Sequence, residues 1–468
     1  MTWIGLDRSS GTPLYRQIYE SYRTKILKGE LQSGERIPST RELSTQLQVS
    51  RNIIVEAYEQ LFAEGYIVGR HGSGTFVAEG TYLETRHHNQ MLSMLDPEPT
   101  IRLSSEQHDM VDFRPGIPAL ALFPRKIWMQ LAQQECTHAP DEAWGYGKPE
   151  GLLKLRSILA RYLLRTRGVV CHPEQLIITT GATQSISLIT KLLLTPTSDV
   201  ILEDPITHEI HTIFTQPGAR LCPVPVDQQG MITHALPLHT RPGFVYVTPS
   251  HQYPLGGVLP IQRRVQLINF ARTTDCYIVE DDYDSEFRYE SAPISSLQGL
   301  DPDRVIYIGT FSKILSPALR IGYLILPQTL IERGRNLKWL TDLHTPTWEQ
   351  MILARFIEEG HLERHIAKMK KIYRKRRNHL IDSLTEKFGE QVTVLGHSTG
   401  LHLIAEFADI LFTTQLLERL EQCGVKVYPV EIHAIEKGKH LHRIILGYGN
   451  LSEEQIETGV QRLALILK

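Results

Sequence analysis

The chain has 468 residues, of which 41% are hydrophobic and 22% charged, with a formal net charge of −2. It is too long for one ordinary domain and globular in balance, and its overall charge selects no partner. No apolar run reaches the roughly 18 residues of a membrane span. The opening "MTWIGLDRSSGTPLYRQ" lacks the basic flank and apolar core of a signal peptide. Cys136, Cys171, Cys222, Cys276 and Cys423 stand singly, which fits a reducing cytoplasm and argues against a disulfide frame or a zinc site. A cytoplasmic location and no metal are expected.

The first element is a helix over "PLYRQIYESYRTKILK", with Leu14, Ile18, Tyr22 and Ile26 at helical spacing and Pro13 in its first turn. In "STRELSTQLQ", Ser39 is an N-cap and Glu42 completes a capping box. Ser50 opens a further helix, "SRNIIVEAYEQLFAEG", which buries Ile54, Ala57 and Leu61 and stops at Gly65. Two short helices joined by a tight turn form a helix-turn-helix, and "YIVGRHGSGTFV" reads as two strands around a glycine-rich tip, a wing. Ser50, Arg51 and Asn52 lie in the first turn of the second short helix. There arginine can bridge guanine O6 and N7, asparagine can pair with adenine, and the helix N-terminus favours phosphate. Residues 1–80 hold nine Lys/Arg and nine Asp/Glu. This neutral unit gains little from counterion release, and useful affinity calls for two copies.

Residues 79–108 lack sustained periodicity and read as a linker, with a possible short helix at "QMLSML". Beyond it, "QLIITTGA", "DVILEDP", "GFVYVTPS", "CYIVEDDYD", "RVIYIGTFSK" and "GYLILP" are short, continuous apolar runs between helical stretches. Such runs are strands buried on both faces, so an α/β domain with a mostly parallel sheet is expected, with its ligand at the carboxyl ends of the strands. Polar residues gather there. The backbone N–H groups of Gly181, Ala182 and Thr183 make an anion cradle at a helix start, which Thr310, Ser312 and Arg320 complete. Asp281 and Tyr283 offer a carboxylate and a phenol, and Lys313 an amine. Together these are what pyridoxal 5'-phosphate (PLP) requires: a lysine for its aldehyde, a phosphate cradle, a carboxylate for the ring nitrogen and a phenol for the ring hydroxyl.

Two resemblances add to this. "GERIPSTRELSTQLQVSRNIIVEAYEQLFAEGYIVGRHGSGTFV" resembles the winged helix of the GntR family of bacterial regulators. That likeness implies DNA contacts from Arg41, from Ser50, Arg51 and Asn52 on the recognition helix, and from His71 and Gly72 at a wing tip entering the minor groove. "WGYGKPEGLLKLRSILARYL", "TTGATQSISL", "VTPSHQYPLGGVLP", "VEDDYDSEFRY", "GTFSKILSPALRIGYLILP" and "HRIILGYG" resemble, in order, the motifs of fold-type I aminotransferases. The whole chain thus looks like a MocR-type regulator: a winged helix (1–78), a linker (79–108) and an aminotransferase-like effector domain (109–468) with a large lobe and a smaller C-terminal α+β lobe. The likeness implies Lys313 as the aldimine lysine, Asp281 as pyridine partner, Tyr283 as O3' partner, and Thr310 and Arg320 as phosphate ligands. It implies Arg443 as the grip on an effector carboxylate, Tyr146 as a reach to the partner subunit's phosphate, and a homodimer arranged head to tail.

Departures from the pattern bear on the effector. Where the family has an aromatic that stacks on the ring, "EDPITHE" has Thr207, with His208 or His211 the nearest substitutes. Glu209 replaces an arginine that helps members of the family bind gamma-aminobutyrate, and Tyr253 stands near the slot of an aminotransferase asparagine. These changes favour a sensor of an amine or amino acid over an enzyme. The rivals are an active aminotransferase with an autoregulatory DNA-binding arm and a sensor of PLP itself. The basic run "KMKKIYRKRRNHL" reads as the solvated face of the helix joining the lobes, or as a second DNA-facing patch containing Arg374, Arg376 and Arg377.

Overall fold

Alternating apolar runs and helical stretches fold as that pattern demands, in two units, Met1–Ser105 and Glu106–Lys468. The computed structural model describes residues 4–82, 110–237, 240–290 and 292–468. Most of the expected linker, "QMLSML" included, lies outside the described residues.

In the first unit, helix Leu14–Leu27 buries Ile18, Tyr19, Tyr22 and Ile26 against helix Arg51–Ala63, which contributes Ile54, Ala57, Tyr58 and Leu61. Pro13 sits one position earlier than expected, as the N-cap. The short helix Thr40–Leu47 opens on a complete capping box: Ser39 accepts from Glu42 N–H while the Glu42 carboxylate accepts from Ser39 N–H. Strands Ile67–Arg70 and Gly74–Val77 form the wing hairpin. A third strand, Arg36–Ile37, pairs with its outer edge. Two residues carry no periodicity, so that strand left no mark in the sequence.

The second unit is built on an eight-stranded sheet. Its order is Leu176–Thr179, Gly322–Ile325, Val305–Thr310, Tyr277–Asp282, Phe244–Val247, Asp199–Asp204, Arg220–Asp227 and Gly230–Met231. Five of these strands pair in parallel, while Gly322–Ile325 and Gly230–Met231 run antiparallel to their neighbours. Successive residues enter different apolar clusters. Ile306 and Ile308 pack with helix Ala182–Leu193, whereas Tyr307 packs with helices Leu153–Arg167 and Thr347–Glu358. Burial on both faces is what the unbroken apolar runs encode.

The smaller lobe is an antiparallel sheet of Val392–Leu395, His402–Phe407, Arg443–Gly447 and Tyr428–Pro429. Helices His361–Phe388 and Glu453–Leu467 pack together beside it. The first strand of the unit, Val111–Asp112, belongs to this lobe, since it pairs in parallel with Val425–Lys426.

The basic run lies on helix His361–Phe388, and its arginines are engaged in packing. Arg374 donates to Tyr289 O at 3.2 Å and Arg376 to Gly449 O. Arg377 is buried, bound to Glu290 at 2.9 Å and to His397 O at 3.0 Å over the Tyr289 ring. Lys375 pairs with Glu453. These groups hold the lobe together, so charge reversal at Arg374, Arg376 and Arg377 breaks packing and does not isolate a DNA contact.

Candidate functional site

The carboxyl ends of the parallel strands open on a cavity of about 380 Å³. Ala182, Thr183, Thr207, Glu209, Asp281, Tyr283, Thr310, Ser312, Lys313 and Arg320, all singled out from the sequence, line it.

One end is shaped for an anion. Gly181, at φ +116°, caps helix Ala182–Leu193, whose first turn carries no acid, so its free N–H groups face the cavity. A Cβ on Gly181 would lie 2.8 Å from Arg320 Nη2, so only glycine lets the guanidinium close over the cradle. Among the described residues the Arg320 guanidinium makes one long hydrogen bond, 3.5 Å to Pro317 O, and is otherwise open to a ligand. Thr310 Oγ1 donates to Ser312 Oγ at 3.1 Å and accepts from Ser312 N–H, which orders the hydroxyl side of the cradle.

The floor is a carboxylate with one oxygen spare. Tyr246 donates its O–H to Asp281 Oδ2, while the buried Asp281 Oδ1 has no partner among the described residues. Burial raises the Asp281 carboxyl to about 6, opposed by the Tyr246 hydrogen bond. An inward-facing acceptor of this kind suits a protonated ring nitrogen. Beside it, Glu203 takes two hydrogen bonds from Thr248, and burial pushes it up to about 7.

Tyr283 is oriented from behind. His251 Nδ1 lies 2.9 and 3.0 Å from the two Asp284 oxygens and 3.0 Å from Tyr283 Oη. An ionised carboxylate only accepts, so His251 Nδ1 carries the hydrogen and Tyr283 keeps its own for donation into the cavity. The opposite nitrogen, His251 Nε2, is buried without a partner. His402 Nε2 donates to Pro254 O, and burial holds that ring neutral by pushing it down to about 3. His251, Asp284 and His402 bring ligand-type atoms within 4.8 Å of one another, but these hydrogen bonds already use the groups as an orienting network.

Lys313 enters from the wall. Gly116, at φ +72°, is the close neighbour of its amine: a Cβ there would lie 2.7 Å from Lys313 Nζ. Burial lowers the Lys313 pKa, against the pull of Asp284 and Asp281, which favours the nucleophilic neutral amine.

Two expectations about the cavity's outer end are corrected. Arg443 does not line it: its guanidinium binds Glu406 at 2.8 Å and His440 at 3.1 Å, across the register pair Glu406–Arg443. His208 and His211 do not cover it either. They stack on each other and, with His433, line a smaller neighbouring cavity. The apolar wall comes from Ile206, Ile210 and Ile213, with Tyr253 and His402 facing the interior.

On the DNA-reading unit, Arg41, Ser50, Arg51, Asn52, His71 and Gly72 are all exposed. Ser50 is the N-cap by position, but its side chain makes no cap hydrogen bond and stays free for a ligand. Arg51 Nε rests on Thr40 Oγ1 at 3.3 Å.

The chain matches the family described as "Bacterial regulatory proteins, gntR family" over residues 14–77. It matches "Aminotransferase class I and II" over residues 109–463. It is 35% identical to the uncharacterized HTH-type transcriptional regulator YdeL of Bacillus subtilis, over 98% of this chain and 97% of that one. It is 31% identical to the probable rhizopine catabolism regulatory protein MocR of Rhizobium meliloti, over 98% and 94%. Among solved structures it is similar to the kynurenine aminotransferase of Pyrococcus horikoshii in complex with PMP, at 27% identity and TM-score 0.72, covering 82% of this chain and 95% of that one. The spare Asp281 oxygen, the glycine-gated cradle and the amine of Lys313 fit PLP, the cofactor these likenesses indicate. A DNA-reading winged helix and a PLP-binding aminotransferase fold in one chain place this protein among the MocR-type transcriptional regulators of the gntR family.

Proposed function

We propose that the aminotransferase-like domain works as a sensor: a primary amine or amino acid enters at Lys313, and its occupancy changes operator binding by the winged helix. The observation that carries this reading is a divided cavity. Its cofactor end is fully furnished, while Arg443, the grip that turnover of an amino acid would use, is bound to Glu406.

PLP, when bound, supplies an aldehyde that reacts reversibly with primary amines and a ring that withdraws electrons from the product. Lys313 Nζ would hold that aldehyde. Asp281 Oδ1 would accept from the ring nitrogen, while Tyr246 holds the other oxygen still. Tyr283 would donate to the ring oxygen, fixed in place by His251 and Asp284. Ala182 and Thr183 N–H groups, the Thr310 and Ser312 hydroxyls and Arg320 hold the phosphate, and the isoleucine wall excludes water. Binding changes DNA affinity only by its preference for one lobe arrangement, about 1–3 kcal/mol in typical allosteric proteins.

Exposed Trp144, Tyr146 and Leu340 support a face covered by a second copy; a head-to-tail homodimer, Tyr146 reaching the partner's phosphate site and a cytoplasmic location belong to the same proposal and rest on the family likeness. Arg51→Ala is expected to weaken operator binding by about 1–3 kcal/mol, the worth of one bidentate base contact. Full affinity for operator DNA in the variant would remove Arg51 from base reading.

The sensor reading is tested by following the visible spectrum of the PLP-loaded protein over time against a panel of amines and amino acids. A shifted band that persists supports sensing. A band that bleaches and returns on adding a keto acid makes the domain an enzyme, and DNA binding that follows PLP occupancy alone makes it a sensor of the cofactor.

A further inference from the structure

Resting on the sensor reading of the same cavity, we infer that the effector is an amine carrying a second cationic group: a short alkyl diamine or the end of a polyamine.

Charge in the cavity is unevenly shared. Lys313 and Arg320 are the only cationic side chains among the described residues that line it, and the cofactor's aldehyde and phosphate take both. The acids are Asp281, buried beneath the ring position, and Glu209, exposed at the mouth. Glu209 makes no hydrogen bond or ion pair with another described residue, so its carboxylate is available to a ligand. Around it, Thr207 and Tyr253 offer hydroxyls on the same lining.

Among the described residues around the cavity, three cations that could neutralise an effector's carboxylate are engaged elsewhere. Arg443 binds Glu406. Arg114, next to the lining residue Pro115, binds Tyr428 at 3.0 Å and Asp112 at 3.5 Å. Lys437 lines the neighbouring cavity and donates to Glu431 O at 2.9 Å. His433 there is held neutral, its pKa pushed down to about 4 by burial. An effector with a distal carboxylate would meet Glu209 with nothing between them. One with a distal ammonium would meet an acceptor set of one carboxylate and two hydroxyls, along an apolar wall suited to a methylene chain.

The test uses full-length, PLP-loaded protein and absorption titrations with three matched series at one pH and ionic strength. These are 1,3-diaminopropane, 1,4-diaminobutane and 1,5-diaminopentane; the monoamines of equal length; and the ω-amino acids of equal length. Wild type is expected to prefer one diamine over its monoamine by roughly 5-fold, the upper scale of an exposed ion pair with added hydrogen bonds. Glu209→Gln is expected to erase that preference, and Glu209→Arg to shift it toward the ω-amino acids. If an amino acid binds wild type more tightly than any diamine, or if Glu209→Gln keeps the diamine preference, the inference falls and the sensor reading stands. If no series moves the spectrum of the loaded protein, the sensor reading falls and takes the inference with it.

Discussion

Lys313→Ala is expected to yield a folded protein that still binds operator DNA and no longer answers any amine. Lys313 is only partly buried and makes no hydrogen bond or ion pair with another described residue, so its loss opens little core. What disappears is the amine that Gly116 leaves room for and whose pKa burial lowers. The absorption band of the lysine-linked cofactor should vanish, and PLP should be lost on dialysis, since only the non-covalent holds of the phosphate cradle, Asp281 and Tyr283 remain. The effector-dependent change in DNA affinity, of the order of 5–150-fold in coupled proteins, should fall to nothing. Operator titrations with and without effector, in wild type and variant, measure both parts. An unchanged effector response in Lys313→Ala would overturn the assignment of this lysine.

The second large effect is structural. Arg167 ends helix Leu153–Arg167 and reaches under the site, where Nε and Nη2 bind Asp282 Oδ2 at 2.8 and 2.7 Å and Nη2 also binds Ser250. Tyr307 donates to the same Asp282 oxygen, and arginine and aspartate are 3% and 8% exposed. Removing one partner strands a buried charge. Arg167→Met should therefore cost about 3–5 kcal/mol in denaturant unfolding, and adding Asp282→Asn should restore much of it, because the orphaned charge is then gone. A loss below about 1 kcal/mol would mean that water or a shifted side chain compensates Asp282. Asp282 adjoins Asp281 on the same strand, so the damaged variant should also retain cofactor poorly.

These two sites differ in how far they could be read in advance. Lys313, Asp281 and Tyr283 stand at the ends of unbroken apolar runs, where strand period and chemistry agree, and the cavity gathers all three. Ser39 and Glu42 are spaced three apart, so their capping box was legible as well. By contrast, the strand Arg220–Asp227 carries Pro223 and Pro225, residues that argue against a strand, and it went unseen. It tolerates them near the sheet's margin, where its outer partner is only the two-residue strand Gly230–Met231. Arg443 shows the limit of motif reasoning. The motif places it on a strand, but its side chain's direction follows from facing Glu406 across an antiparallel pair, a matter of three-dimensional register. The pairs Tyr246–Asp281 and His251–Asp284 join residues 35 and 33 apart in sequence, and no local pattern announces such contacts.

The parallel pairing of Val111–Asp112 with Val425–Lys426 has a mechanical consequence. The chain leading back to the DNA-reading unit is rooted in the small lobe, although the cofactor's main holdings lie on the large sheet. Any rotation of the small lobe therefore carries Val111–Asp112, the first strand of the second unit, with it.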